Sequence, residues 1–451
     1  MKYSFALLSL LLALSISARA EDFKVPIVYY KLPNGLKVVL SQDTTVPTVA
    51  VEICFNIGFR VEPRGRTGFA HLFEHMMFQG SPHLPKGEFP KLIESVGGSF
   101  NGTTRFDYTN YYETFPAGNL ELVLWAESDR LSGVDLSPQN LQNQQEVVSN
   151  EVKLNVIEPP YGGFPWLDMP QYANQNFFNA HNFYGSLQDI QASTRPELQQ
   201  FFQSYYAPNN AVLVVVGNFQ IPQTRAWIEK YFAAIPAVPN PAQPDLSEPR
   251  QIQEKQATRS DRLAPRPGLA LAYHMPERNT PEYFAMGLLN QILLEGDDAL
   301  LCQELVRNRK YTSAVDGGIN CTLGNMFDYK GPMLMMASLI HEPGVSPAEI
   351  LAAADQIILP LTNRPVDQAT LKRAMIKMRS SLYRLLEPGD PIELANLLAC
   401  FALFDDDPSA INRLEGRFRA VTPALIQKTA QEFLRPGNRT ILVLKPEGTH
   451  E

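Results

Sequence analysis

One pattern occurs twice in this chain of 451 residues, and it limits the fold more than any other feature. Thr194-Arg195-Pro196-Glu197 is a capping box, in which a hydroxyl and a carboxylate three residues on satisfy the free N–H groups of a helix start. The helix it opens runs into Tyr206-Ala207-Pro208-Asn209-Asn210 and then the apolar strand Ala211–Val216. Thr422-Pro423 opens a second helix, which runs through Phe433 to Pro436-Gly437-Asn438 and the strand Thr440–Leu444. Between the copies, residues 234–266 place Pro236, Pro239, Pro241, Pro244, Pro249 and Pro265 among polar residues, the composition of an extended linker. A chain this long exceeds one ordinary core. The expected fold is therefore α+β in two similar halves, each a mainly antiparallel sheet packed with helices. The expected boundaries are 21–235, a linker over 236–266, and 267–451.

Within the first half, Ile27–Leu40 reads as a hairpin around Asn34-Gly35. Thr48–Val61 reads as a strand, Phe89–Val96 as a short helix and Ser99–Thr114 as strands. Leu120–Leu131 and Pro138–Val156 read as helices. Ser137 caps the second, and Val147, Val148 and Leu154 mark its buried side.

The composition is that of a globular protein, with 45% hydrophobic and 19% charged residues. A net charge of −8 and the absence of any Lys/Arg block argue against nucleic acid as a partner. Met1-Lys2-Tyr3, the apolar run Ser4–Ile16 and Ala18-Arg19-Ala20 read as a signal peptide over residues 1–20, cleaved after Ala20. The mature chain is then expected to be periplasmic or secreted and without a membrane span. Of four cysteines, Cys54 and Cys400 fall in apolar patterns and are expected as buried thiols, whereas Cys302 and Cys321 are candidates for pairing in an oxidising compartment.

Chemistry concentrates in His71-Leu72-Phe73-Glu74-His75. Histidines four apart share one face of a helix, so both imidazoles reach one metal ion. Glu74 sits beside that ion without being one of the two nitrogen ligands, the place of a general base. The order is H-x-x-E-H, the inverse of the commoner zinc-peptidase signature. A catalytic zinc takes three protein ligands and leaves one position open. Glu151, 76 residues after His75, is a candidate third ligand, with Glu146 and Glu158 as rivals on physical grounds. His83, His181, His274, His341 and His450 lack such neighbours.

The motif, the 76-residue gap and the two-half layout resemble the pitrilysin/insulysin family of zinc metallopeptidases, in the processing-peptidase group of bacteria and mitochondria. The resemblance implies zinc on His71, His75 and Glu151, with Glu74 as general base. The family often carries a Glu seven residues before the ligand Glu, where this chain has Gln144. Gly97-Gly98-Ser99-Phe100-Asn101-Gly102-Thr103-Thr104 matches a family stretch that forms an edge strand binding the substrate backbone, with Gly102 where Ala is usual. By the same resemblance Asn101, Thr104, Tyr111 and, in the second half, Arg307 are candidate substrate-binding residues, and Asp107 fits the pattern. Seven residues after Arg307 stands Ala314 instead of the family's Tyr, while Tyr311 is displaced by three. The implied function is an exported zinc endopeptidase acting on extended peptides or unfolded segments. The implied assembly is a heterodimer with a zinc-less homologue that supplies the Arg/Tyr pair, or a homodimer. The rival reading is a non-catalytic assembly or scaffold subunit derived from such a peptidase.

Overall fold

A computed structural model describes residues 24–386 and 391–447, so the expected signal peptide lies outside the described residues. Eleven strands among the described residues form two sheets. The first contains β1 (Val28–Lys31), β2 (Lys37–Gln42), β3 (Thr48–Phe55), β4 (Ser99–Thr104), β5 (Thr109–Pro116) and β6 (Ala211–Gly217), in the order β1-β2-β6-β3-β5-β4. The second contains β7 (Lys255–Asp261), β8 (Gly268–His274), β9 (Asp316–Ile319), β10 (Leu334–Ile340) and β11 (Arg439–Pro446), in the order β7-β11-β8-β10-β9. Each sheet is antiparallel except for one parallel pair, β2 with β6 and β7 with β11.

The two repeats correspond element by element in this order. Helix Arg195–Tyr205 leads through the turn Pro208–Asn210 into β6, and helix Pro423–Phe433 leads through Pro436–Asn438 into β11. Asn210 donates to the carbonyl of Tyr205 at 2.9 Å, and Asn438 does the same to Phe433 at 2.8 Å. The shared asparagine thus closes the frayed helix end and starts the strand in both halves.

Strand β6 is buried along its whole length because both faces of its sheet are covered. Leu213 and Val215 join the first half's own helices. Val212, Val214 and Val216 join a core shared with the second half. The cover on that side is helix Pro391–Asp405, whose buried run Leu397–Ala402 packs against β3 and β6. A helix this apolar around its circumference needs burial on several sides. A buried ion pair also ties the halves. Arg60 lies 3.0 Å from Asp107 in the β4–β5 turn and donates to the carbonyl of Pro332, while Asp107 accepts the N–H groups of Lys330 (2.7 Å) and Gly331 (3.2 Å).

Several expectations need correction. The strand from Thr48 ends at Phe55, and Phe59–Val61 is a 3₁₀ turn. Strand β7 lies inside the segment read as linker, which therefore ends before Lys255. Helix Pro138–Val152 passes into a π-helical segment, Lys153–Ile157. Val148 is buried as expected, but Val147 is 45% and Leu154 65% exposed, because the core-facing stripe is Leu141, Gln144, Val148 and Val152. The four cysteines are unpaired, Cys54 and Cys400 buried and Cys321 exposed, so Cys302 and Cys321 form no disulfide. Three short helices, Met169–Ala173, Phe177–Ala180 and Leu187–Gln191, occupy a stretch whose sequence carries no strong periodicity. Among the described residues no helix is long and apolar enough to cross a membrane.

Candidate metal centre

The motif residues lie on helix Phe69–Met76, which buries Phe69, Leu72, Phe73 and Met76 against the first half's core. Its start is unusual. The residue before it, Gly68, is left-handed (φ 84°) and offers no side-chain cap. A Cβ there would stand 2.6 Å from the carbonyl oxygen of Tyr184, so both the conformation and the close approach require glycine. The cap comes from Glu62, whose carboxylate accepts the N–H groups of Gly68 (2.8 Å) and Ala70 (2.6 Å). Asp189 adds a second carboxylate, accepting from the Thr67 N–H (3.0 Å) and hydroxyl (2.6 Å). Two acids at the positive end of the helix dipole fix the position of the helix.

Glu151 projects from helix Pro138–Val152 towards both histidines. His71 Nε2 and His75 Nε2 are 3.3 Å apart, and Glu151 Oε2 lies 3.7 Å and 3.4 Å from them. A tetrahedral ion with bonds of about 2.1 Å separates its ligand atoms by about 3.4 Å. The three atoms therefore already form one face of such a tetrahedron. Two imidazoles and one carboxylate are also a donor set that zinc accepts in sites with a fourth, open position. The rivals Glu146 and Glu158 do not join this cluster.

Protonation favours the same use at His71 and Glu151; at His75 burial lowers the pKa, but Glu151 and Glu74 raise it overall. Burial and the neighbouring His75 push the His71 pKa down to about 3, so its Nε2 lone pair is free. Burial alone would raise the Glu151 carboxyl, but His75, His71 and the Tyr184 hydroxyl bring it below its usual value. Metal binding requires these deprotonated donors. His75 Nδ1 lies 3.2 Å from Gln144 Oε1, an acceptor that sets Nε2 towards the centre.

A further support was not legible as a motif. Tyr184 donates its hydroxyl to Glu151 Oε1 at 3.0 Å and accepts from Asn155 at 3.2 Å. Asn155 belongs to the π-helical segment directly after the ligand helix, a kind of irregularity that recurs at functional sites. Phe183 packs on the His71 ring at 4.7 Å. Tyr184→Phe is expected to keep the fold and to weaken zinc binding about tenfold, read by competition with a chromophoric chelator.

Glu74 stands beside the triad. Thr104 donates its hydroxyl to Glu74 Oε2 at 2.6 Å. Burial raises the Glu74 pKa, against the lowering effect of Thr104 and His75. Among the described residues strand β4 is the outer edge of its sheet, paired only with β5. Its Gly102 and Thr104 face Glu74: a Cβ on Gly102 would lie 3.2 Å from Glu74 Cγ. Asn101 alternates to the opposite face, is exposed, and accepts the Gly102 N–H at 2.9 Å.

The other expected substrate contacts are placed differently. Thr104 is 4% exposed and spends its hydroxyl on Glu74. Tyr111 is fully buried, with its hydroxyl 3.1 Å from that of Tyr206, and presents no surface to a ligand. Arg307 lies on the surface of the second half, 3.6 Å from Asp297. Tyr311 packs on the second half's core, and the Thr312 hydroxyl binds the Ala314 carbonyl at 2.9 Å. The residues that sequence reasoning missed are Glu62, Tyr184 and Asp189. The one local hint was a helix beginning at Gly68 with no capping side chain beside it.

Comparison with known proteins identifies the family and the fold. Residues 37–177 match the profile described as insulinase (peptidase family M16), and residues 192–378 match the peptidase M16 inactive domain. The zinc protease PqqE of Helicobacter pylori is 24% identical, over 97% of this chain and 97% of its own. A crystal structure of a protease from Helicobacter pylori superposes with a TM-score of 0.86 at 22% identity, over 94% of this chain and all of the other. The periplasmic protease PqqL from Escherichia coli gives a TM-score of 0.75 at 18% identity, with 94% of this chain covering 48% of that one. The chain belongs to peptidase family M16, the insulinase or pitrilysin family.

Proposed function

We propose that this protein is an exported zinc-dependent endopeptidase that hydrolyses extended peptides or unfolded segments. The observation that carries the reading is the 3.3–3.7 Å triangle of His71, His75 and Glu151 with Glu74 beside it. When bound, zinc supplies Lewis acidity at the scissile carbonyl and lowers the pKa of water. Glu74 takes the proton of the attacking water and delivers it to the departing amine. Its raised pKa suits both tasks, since a base poised nearer neutrality also returns the proton readily. Thr104 fixes the carboxylate, Gln144 orients His75 and Tyr184 orients Glu151.

An extended peptide adds to the free edge of β4, and main-chain pairing there makes recognition tolerant of sequence. Asn101, on that edge, is the side chain assigned to the substrate. Export is supported by the leader-like residues 1–20 and by likeness to a periplasmic protease. That protease is about twice as long as the stretch this chain covers, which supports a working unit made of two such chains. Ala314 in place of the family's Tyr supports a zinc-less homologue as the partner, one that supplies the Arg/Tyr pair.

The test is hydrolysis of an unstructured fluorogenic peptide by the purified chain, stripped of metal, reloaded with zinc, and then mixed with a co-expressed zinc-less homologue. Activity is expected only with zinc and to rise at least tenfold with the homologue. Full activity from the chain alone sinks the heterodimer. Zinc binding without hydrolysis in any mixture favours the scaffold reading instead.

A further inference from the structure

The helix that carries His71 and His75 is capped by Glu62, and Glu62 in turn faces His181, a residue to which neither the motif nor the reaction assigns a role. Glu62 is fully buried, and its carboxylate satisfies the Gly68 and Ala70 N–H groups. His181 Nε2 lies 3.4 Å from Glu62 Oε2 and 2.7 Å from the carbonyl oxygen of Phe59. Its Nδ1 lies 2.9 Å from the carbonyl oxygen of Phe177. Each ring nitrogen therefore faces a main-chain carbonyl, which has no proton to give. A neutral imidazole donates from one nitrogen only, so its other lone pair would point at a carbonyl lone pair. Only the imidazolium satisfies both contacts. The surrounding charges are compatible with this. Among the described residues Glu62 is the one acid paired with the ring; the Arg60 guanidinium on the same turn is bound to Asp107; the Arg64 guanidinium lies behind Phe177, 4.1 Å from the centre of the ring that stacks on His181.

We propose that Glu62 and His181 form a positioning pair for the metal-binding helix, a buried carboxylate cap held in its charged form by an imidazolium locked between two main-chain carbonyls. A buried carboxylate alone tends to take up a proton and lose its grip on two N–H groups. Burial raises the Glu62 pKa; a charged His181 and the Ala70 and Gly68 N–H groups work against that rise, which favours the ionised cap and the register of His71 and His75 against Glu151. His181 lies in the segment 158–193, which holds three short helices, so the pair also ties that segment, including Tyr184, to the start of the motif helix.

The pair gives a pH dependence of definite sign. Burial lowers the His181 pKa, but the hydrogen bond and charge of Glu62 and the two carbonyls raise it overall. A histidine whose folded pKa exceeds the unfolded value of about 6.5 contributes stability that is complete below that value and is lost as pH rises through the folded pKa.

The first experiment is a nitrogen-15 NMR titration of ring-labelled histidine in the metal-free full chain, with His181 identified by its contacts to Phe177 and by loss of its signals in His181→Gln. A midpoint above the ordinary imidazole value of about 6.5 is expected, with both ring nitrogens protonated below it; a midpoint at or below that value overturns the proposal. The second is zinc affinity by chelator competition. Glu62→Gln is expected to bind zinc about tenfold more weakly with unchanged circular dichroism, in line with loss of an outer support. Affinity equal to the wild type in both Glu62→Gln and His181→Gln, across pH 6.5–9, also overturns it. The metal-related part rests on the peptidase reading, but the NMR result does not. A chain that binds zinc and hydrolyses nothing leaves the pair standing and removes only the proposed function.

Discussion

Glu74→Gln is expected to bind one zinc per chain as the wild type does and to lose peptide hydrolysis by about 10²–10⁴-fold, the usual contribution of a general base. The substitution keeps the shape of the side chain. Thr104 still finds an oxygen to donate to, and His71, His75 and Glu151 keep their mutual distances, because Glu74 contributes none of the three ligand atoms. Only the capacity to take up a proton is removed. Metal content by elemental analysis and turnover of an unstructured peptide are the paired measurements. A variant as active as the wild type removes Glu74 from the reaction. One that loses zinc along with activity means that the carboxylate holds the metal site together.

The two-half plan and the histidine pair are legible in the sequence because both rest on local physics, whereas Glu151 stands apart from Glu146 and Glu158 in the sequence only through the family resemblance. Helical spacing alone sets His71 and His75 on one face, and the Pro-Asn turn repeated at 208–210 and 436–438 marks the same helix-to-strand corner twice. What was not legible depends on contacts between distant segments. Val147 and Leu154 have the composition of a buried stripe, yet the helix turns Gln144 inward to reach His75 and leaves them in solvent. Tyr111 is expected among the substrate contacts, but it is buried on the inner strand β5, one removed from the outer strand β4. Glu62 caps a helix six residues away through an irregular turn, a spacing that matches no local capping rule. Tyr184 and His181 sit in a segment whose short helices have too few turns to produce a period.

Asp107→Ala is expected to cost about 3–5 kcal/mol, the second large effect, because it strands a charge between the halves. Arg60 is 1% exposed, and the carboxylate of Asp107 is its counter-charge, at 3.0 and 3.1 Å. The same carboxylate accepts two main-chain N–H groups of the loop leading to β10. Without it, the guanidinium keeps only the Pro332 carbonyl and the face of Phe106, 4.7 Å from the ring centre. Burial of an uncompensated cation is the costly part, not the loss of the attraction itself. Removing both charges together, as in Arg60→Met with Asp107→Leu, should therefore recover most of the lost stability. The measurement is the urea midpoint of unfolding for the wild type, the single and the double variant. A single variant no weaker than one lacking the exposed Arg266–Glu342 pair contradicts the argument. The consequence reaches the site, since Asp107 sits in the turn that joins β4 to β5. Loosening that turn frees the second half from the strand whose Thr104 holds Glu74, so the single variant should lose hydrolysis at urea concentrations where its zinc is still bound.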